Sequence, residues 1–313
     1  MEQMTFRELT DKTMLLYTKR KYADALQLLE QQSDRFPEQS ARTTFWKMCL
    51  WSLSGRTEEV ISVFQKGLDA GLWWAENQFV DSDLDAVRDM PEFKRLVAIS
   101  QEKYEELRVD TKRERTILLP ELPASGKYPL LIVLHGRNGS KDSDLEHWEA
   151  ACQRGWLVFS TQSTQPLFSG SYCWDDAALG LADLSSYYDE VSQEYPIDPQ
   201  RVLLAGFSQG SGMAIQAALS EKFGARGFIG VGTFIAEPDS LIPLLKQSPP
   251  VRGYFVVGGK DHTLDRVRAI QHILKENSIP FAEEVHPDLA HEFPANFGAS
   301  FDKATNFIFK EHE

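Results

Sequence analysis

Cysteine is scarce in this chain of 313 residues, and the three present, Cys49, Cys152 and Cys173, are scattered. They form neither a disulfide framework nor a CxxC pair suited to zinc, so no metal site is expected. A reducing compartment fits best. Positive charge is also in short supply: 33 Lys and Arg face 46 Asp and Glu, for a formal net charge of −13. That balance argues against a nucleic-acid-binding surface and a polybasic membrane anchor, and reads first as a solubility feature. No stretch approaches the ~20 uninterrupted apolar residues that a bilayer span needs. Met1 to Asp11 carries acids early and has no apolar h-region, so a secretory signal is not expected. A cytoplasmic protein follows. Core-building residues are plentiful: 42% of the chain is hydrophobic against 25% charged, the composition of a globular protein long enough for two domains.

Two patterns divide the chain. Residues 1–108 read as helix throughout. Tyr22, Ala25, Leu26 and Leu29 recur at helical spacing, and Pro37 stops that helix. A second helix carries Phe45, Trp46, Cys49 and Leu50 up to Gly55, and Val60, Ile61 and Phe64 repeat the face. The pattern at Tyr22-Ala23-Asp24-Ala25-Leu26 returns at Thr57-Glu58-Glu59-Val60-Ile61, about 35 residues on, a period typical of stacked helix pairs. Lys21 to Pro37 resembles the second helix of a tetratricopeptide unit, although Val60 stands where that family prefers alanine. A third helix pair is expected from Ser82 to Leu107, packed by Leu84, Val87, Phe93 and Leu96.

Residues 109–313 read differently. Short apolar runs at 116–119, 129–134, 156–160, 201–205, 228–231, 254–257 and 281–285 are bounded by Gly or Pro, as buried parallel strands are. Helical stretches at about 143–153, 176–193, 209–221, 264–276 and 295–310 lie between them. The expected fold class is α/β: a mostly parallel sheet flanked by helices, preceded by an all-α helical-repeat domain.

Gly206-Phe207-Ser208-Gln209-Gly210 fits G-x-S-x-G. That pattern puts a serine on a tight, strained turn between strand and helix, where the glycines let neighbouring backbone approach. An apolar run precedes it and Met213 to Leu219 is good helix sequence. The structural alternative is a glycine-rich anion-binding turn. A serine hydroxyl is a weak nucleophile and needs a base, which needs an orienting carboxylate. In this architecture they follow in the order Ser, Asp or Glu, His. Asp261 directly follows the run ending Val257-Gly258-Gly259-Lys260, at a strand's C-terminal end, where α/β ligand sites lie. Asp265 and Asp288 are its rivals; a helix N-cap is its alternative role. His291 stands in the loop after the last strand, with His286 and His262 less well placed. Oxyanion donors are expected from the N–H of Gln209 and from the loop Leu134-His135-Gly136-Arg137-Asn138-Gly139, where Arg137 is the choice and Gly136 the rival. His135 is expected to hydrogen-bond the loop that follows it.

These residues resemble the phospholipase/carboxylesterase branch of the α/β-hydrolases, which includes the acyl-protein thioesterases. The resemblance covers residues 128–310 and rests on Leu134-His135-Gly136, Trp174-Asp175, Gly206-Phe207-Ser208-Gln209-Gly210, Gly259-Lys260-Asp261 and Ala290-His291. It implies carboxylic ester or thioester hydrolysis through an acyl-enzyme without a cofactor, with Ser208, Asp261 and His291 as the triad. The chain departs from the family pattern at Ser211 and Ala290, where glycine is usual, and at Thr263-Leu264, where valine-proline often stands. Trp174, with Phe168 and Tyr172, is expected to line an apolar substrate pocket; loop packing is the alternative for the latter two. The partner is then a small-molecule ester, with the helical half left for a protein partner, self-association or a lid. A thioesterase, a peptidase and a partner-binding scaffold with a vestigial hydrolase domain are the rival readings.

Overall fold

Thr5 and Glu8 open the first helix reciprocally. The Glu8 N–H donates to Thr5 Oγ1 at 3.2 Å and the Thr5 N–H to Glu8 Oε2 at 2.8 Å, satisfying two donors that a helix start leaves orphaned. In the computed structural model, which describes residues 4–310, this begins a series of helices: α1 (Phe6–Thr18), α2 (Tyr22–Gln32), α3 (Ser40–Leu53) and α4 (Thr57–Asp69). Each packs on the next. The apolar spacing explains why: Leu9, Ala25, Leu26, Leu29 and Leu50 fall on facing stripes and form one core cluster.

The expected third helix pair is only half present. Residues 76–80 and 82–84 are short 3-10 turns, and a single long helix, α5 (Pro91–Val109), follows. The Asp81 carboxylate caps the Asp83 N–H at 3.0 Å, a local bond that favours a turn over a continuous helix. Pro91 sits in the first turn of α5, where its missing N–H costs nothing. Leu84, Val87, Phe93 and Leu96 are buried as expected.

Two compact units are present. The first runs to Thr111 and also takes in Pro166–Ser171; the second comprises Lys112–Gln165 and the chain from Tyr172 onward. The expected bounds, 1–108 and 109–313, contain no such excursion, and their outermost residues 1–3 and 311–313 lie outside the described residues. Within the first unit the Ala75 N–H donates to Leu167 O at 2.8 Å and the Ser169 N–H to Trp73 O at 3.1 Å. Leu167 and Ser169 lie in a two-stranded hairpin of β4 (Gln165–Phe168) and β5 (Ser171–Cys173).

The second unit is built on a seven-stranded sheet: β1 (Arg115–Leu118), β2 (Tyr128–Leu134), β3 (Leu157–Thr161), β6 (Ile197–Phe207), β7 (Gly227–Val231), β8 (Arg252–Gly258) and β9 (Phe281–His286), in spatial order β1-β3-β2-β6-β7-β8-β9. Only β1 is antiparallel. Alternate residues of each strand point to opposite faces, so Leu130, Ile132, Leu134 and Leu204 enter one core and Leu131, Val133, Leu203 and Ala205 the other. Both faces are therefore covered, which is why these strands read as unbroken apolar runs. Helices α7 (Ala177–Glu194), α8 (Ser208–Ala218) and α10 (Leu264–Glu276) supply the first layer; α6 (Leu145–Cys152) and α11 (Phe297–Ile308) supply the second. A four-residue helix, α9 (Ile242–Leu245), lies between β7 and β8. Among the described residues no helix is long and apolar enough to cross a membrane.

Candidate active site

Ser208 begins α8 at the C-terminal end of β6 with φ of +53°. For a residue with a side chain, this left-handed conformation is uphill by roughly 1–3 kcal/mol and persists only where the surroundings impose it. The surroundings here are backbone. A Cβ at Gly210 would overlap the carbonyl oxygens of Leu134 and His135, so the helix start and the end of β2 approach as closely as glycine alone allows. The expected serine thus stands on the expected sharp turn.

Asp261 and His291 come together from separate strand ends. His291 Nδ1 lies 2.9 Å from Asp261 Oδ2 and 3.0 Å from Oδ1. Asp261 Oδ1 also accepts the Thr263 N–H at 2.7 Å and the Thr263 hydroxyl at 2.8 Å. The Asp261 side chain is 1% exposed and that of His291 22%. Burial pushes the Asp261 carboxyl up, but the bonds from His291 and Thr263 outweigh it and hold the group below its usual range. An ionised Asp261 keeps the proton on His291 Nδ1 and leaves Nε2 as the basic nitrogen. Phe207, beside the serine, packs its ring 4.7 Å from that of His291 and stacks on Phe293. Phe207 and Phe293 thereby bracket the histidine loop against the serine turn.

Of the rival residues, Asp265, Asp288 and His286 fall elsewhere, and His262 lies against the pair. Asp265 is in the first turn of α10. Asp288 is almost fully exposed and pairs with Lys260 at 2.8 Å. His286 ends β9, 3.4 Å from Glu284. His262 packs on His291 at 4.6 Å between ring centroids, but its side chain is 73% exposed and lies 3.6 Å from Asp261. Thr263, one of the departures from the family pattern, adds a hydroxyl to the carboxylate that a valine would lack. Ser211, another departure, is buried and hydrogen-bonded to Thr233 at 2.6 Å, tying α8 to the loop after β7. Gly232 in that loop, with φ of +53°, was invisible from sequence: a Cβ there would stand 3.1 Å from both Asp261 Oδ2 and His291 Nδ1.

The loop after β2 lies against this centre. The Asn138 N–H is committed to Tyr172 O at 3.0 Å and the Gly139 N–H to Gly136 O at 3.0 Å, which leaves Gly136 and Arg137 as the loop's candidate donors. Gln209 lies in the first turn of α8, whose N–H groups have no partner within the helix. His135 is wholly buried. Its Nδ1 is 2.7 Å from Gly136 O, so that nitrogen carries the proton, and Nε2 accepts the Ser163 N–H at 3.2 Å. Burial pushes its pKa down to about 4, against a smaller opposing effect of the Gly136 carbonyl. His135 braces the loop, as the sequence led one to expect.

Of the three pocket aromatics, Trp174 is at the centre. Its backbone N–H donates to Gln209 Oε1 at 3.0 Å and its indole N–H to His135 O at 2.9 Å. With Gln209, Met213 and Phe234 it lines a cleft of about 230 Å³. Tyr172 pairs by backbone with Gly139, so it supports the loop. Phe168 is buried and bridged to Trp74 within the first unit; it packs a core and is not among the residues gathered around Ser208. The helical spacing of residues 1–108 carried no hint that six residues from the other half would join them.

Comparison with known proteins agrees with this architecture. Residues 186–308 match the family described as Phospholipase/Carboxylesterase, and residues 5–108 match the A/B hydrolase-like N-terminal domain. No curated protein matches the chain. Among solved structures it resembles an uncharacterized protein from Bacillus cereus ATCC 10987, at 23% identity and a TM-score of 0.55, over 99% of this chain and 100% of that one. A ferulic acid esterase (16% identity, TM-score 0.50, 64% of this chain and 93% of that one) and esterase PE8 (18%, 0.50, 63% and 98%) are similar in fold.

Proposed function

We propose that this chain, whose residues 186–308 belong to the phospholipase/carboxylesterase family of the α/β-hydrolases, is a serine hydrolase that cleaves carboxylic esters through an acyl-enzyme. The observation that carries the reading is the hydrogen-bonded pair of His291 with a buried Asp261, beside a serine held at positive φ. Catalysis is assigned to residues 109–313. The helical half, tetratricopeptide-like by sequence, is assigned to a protein partner or to self-association.

In this mechanism His291 Nε2 takes the hydroxyl proton of Ser208 as Oγ attacks the ester carbonyl carbon. Asp261 orients the ring and stabilises its charged form. The N–H groups of Gln209 and Arg137 receive the negative charge that develops on the carbonyl oxygen. Collapse breaks the bond to the alkoxide, which leaves with the proton from His291. Water, activated by the same histidine, then attacks the acyl-enzyme and releases the acid.

Ser208→Ala should lower turnover of a short-chain p-nitrophenyl ester by ~10⁶, as judged from other triads. Unchanged turnover in a clean preparation would remove the assignment. A panel of esters, thioesters and aminopeptidase substrates separates the esterase from the thioesterase and peptidase readings, because one triad serves all three and the pocket selects.

A further inference from the structure

The tryptophan–aspartate pair at 174–175 has a job for its tryptophan in the reading above and none for its aspartate. Asp175 Oδ1 accepts the Gln209 side-chain amide at 2.7 Å, and the same oxygen pairs with the Arg137 guanidinium. The Trp174 N–H holds the other end of the Gln209 amide at 3.0 Å. Gln209 is therefore clasped at both ends by consecutive residues, and only one orientation of its amide satisfies both bonds. Burial pushes the Asp175 carboxyl up, and the bonds from Gln209 and Arg137 more than offset it, so the carboxylate is charged.

We infer that Asp175 is the positioning residue of the oxyanion hole, holding both donor-bearing residues, Gln209 and Arg137, through one carboxylate oxygen. This rests on the assignment of those two N–H groups as the oxyanion donors. The physical case is geometric. Gln209 follows the nucleophile on α8, whereas Arg137 stands on the loop after β2. Two donors on separate elements stabilise a developing oxyanion only if both aim at one point, and misplacement by about an ångström weakens them severely. The ion pair itself is part-exposed, with side chains 40% and 46% accessible, so its Coulombic contribution is small. What Asp175 supplies is the tie between the loop and the helix start. It also occupies the Arg137 guanidinium.

The test compares the full-length enzyme with Asp175→Ala, Asp175→Asn, Gln209→Ala and the Asp175→Ala/Gln209→Ala double variant on p-nitrophenyl butyrate. Butylboronic acid, which forms a tetrahedral adduct with the serine, serves as the transition-state probe. Asp175→Ala should lower kcat by about 10- to 100-fold, short of the ~10²–10³ of deleting a donor outright, with KM moved by less than about threefold. The boronate inhibition constant should rise in step with the fall in kcat/KM, a coupling that mere loosening of the fold would not produce. In the Gln209→Ala background the Asp175→Ala change should add less than about threefold, since both act through one tie. Asp175→Asn keeps an acceptor for Gln209 without the charge, should fall between, and carries the test if the alanine variant does not fold. A kcat within about twofold of wild type in both Asp175 variants, a loss confined to KM, or unchanged boronate affinity would overturn the inference. Activity surviving in Ser208→Ala would instead remove the underlying triad reading, so the two failures are distinguishable.

Discussion

Acidification should unlock the loop after β2 through His135. The imidazole is wholly enclosed, with Nδ1 bound to Gly136 O and Nε2 accepting the Ser163 N–H. A second proton would set Nε2–H against the Ser163 N–H, donor against donor. Burial accordingly lowers the pKa from 6.5 to about 4. Below pH 6.5 the unfolded chain binds a proton that the native state refuses, so stability falls as pH falls, progressively, until the native histidine titrates near 4. The full loss is about 3 kcal/mol, of which roughly 2 kcal/mol accrues between pH 7 and pH 5. His135→Gln keeps an acceptor for the Ser163 N–H and removes the titration. Hydrogen exchange of amides in residues 128–134 would read the opening free energy of the sheet beside the loop. Comparing wild type with the variant at each pH cancels intrinsic exchange rates and the titration of all other groups. The wild type should lose about 2 kcal/mol relative to His135→Gln on going from pH 7 to pH 5. A difference that stays constant to within about 0.5 kcal/mol would refute the claim that a neutral His135 is part of the native fold.

Two further perturbations follow from the site. Asp261→Asn would present its amide oxygen to Thr263 and its NH₂ to His291, turning Nδ1 into an acceptor and placing the proton on Nε2; kcat should drop ~10⁴ at neutral pH with folding intact, as seen by steady-state kinetics with near-ultraviolet circular dichroism. Gly210→Ala drives a methyl into the carbonyls of Leu134 and His135; it should cost at least about 2 kcal/mol in urea denaturation and abolish turnover, and a fully active variant would show that the turn at Ser208 tolerates a side chain there.

Much of this protein is written locally. The strands of the second unit are readable because both faces of the sheet are covered, so Leu130 to Leu134 must all be apolar. Ser208 and Asp261 are announced by their neighbours, since each stands where an apolar run gives way to a glycine-bearing turn, and His291 by its place in the loop after the last strand. The helices up to Asp69 follow from their apolar spacing, and the third pair failed because the caps around Asp81 and Pro91 compete locally with helix.

Other features have no local signature. Residues 137, 175 and 209 meet on one carboxylate oxygen although nothing in their spacing is periodic. They converge because the parallel order β3-β2-β6 brings the ends of distant strands side by side. Gly232 and Thr233 reach Asp261, His291 and Ser211 by the same route from β7. Phe168 looked like a pocket residue from its sequence position, yet its hairpin tip pairs with Trp74 and joins the helical unit. Sequence determined which residues have the chemistry for a triad, because pattern and turn chemistry are properties of a few neighbours along the chain. Tertiary structure decided which residues hold the proposed triad and the proposed oxyanion loop in place, because those partners are chosen by strand order and close backbone approach across the sheet.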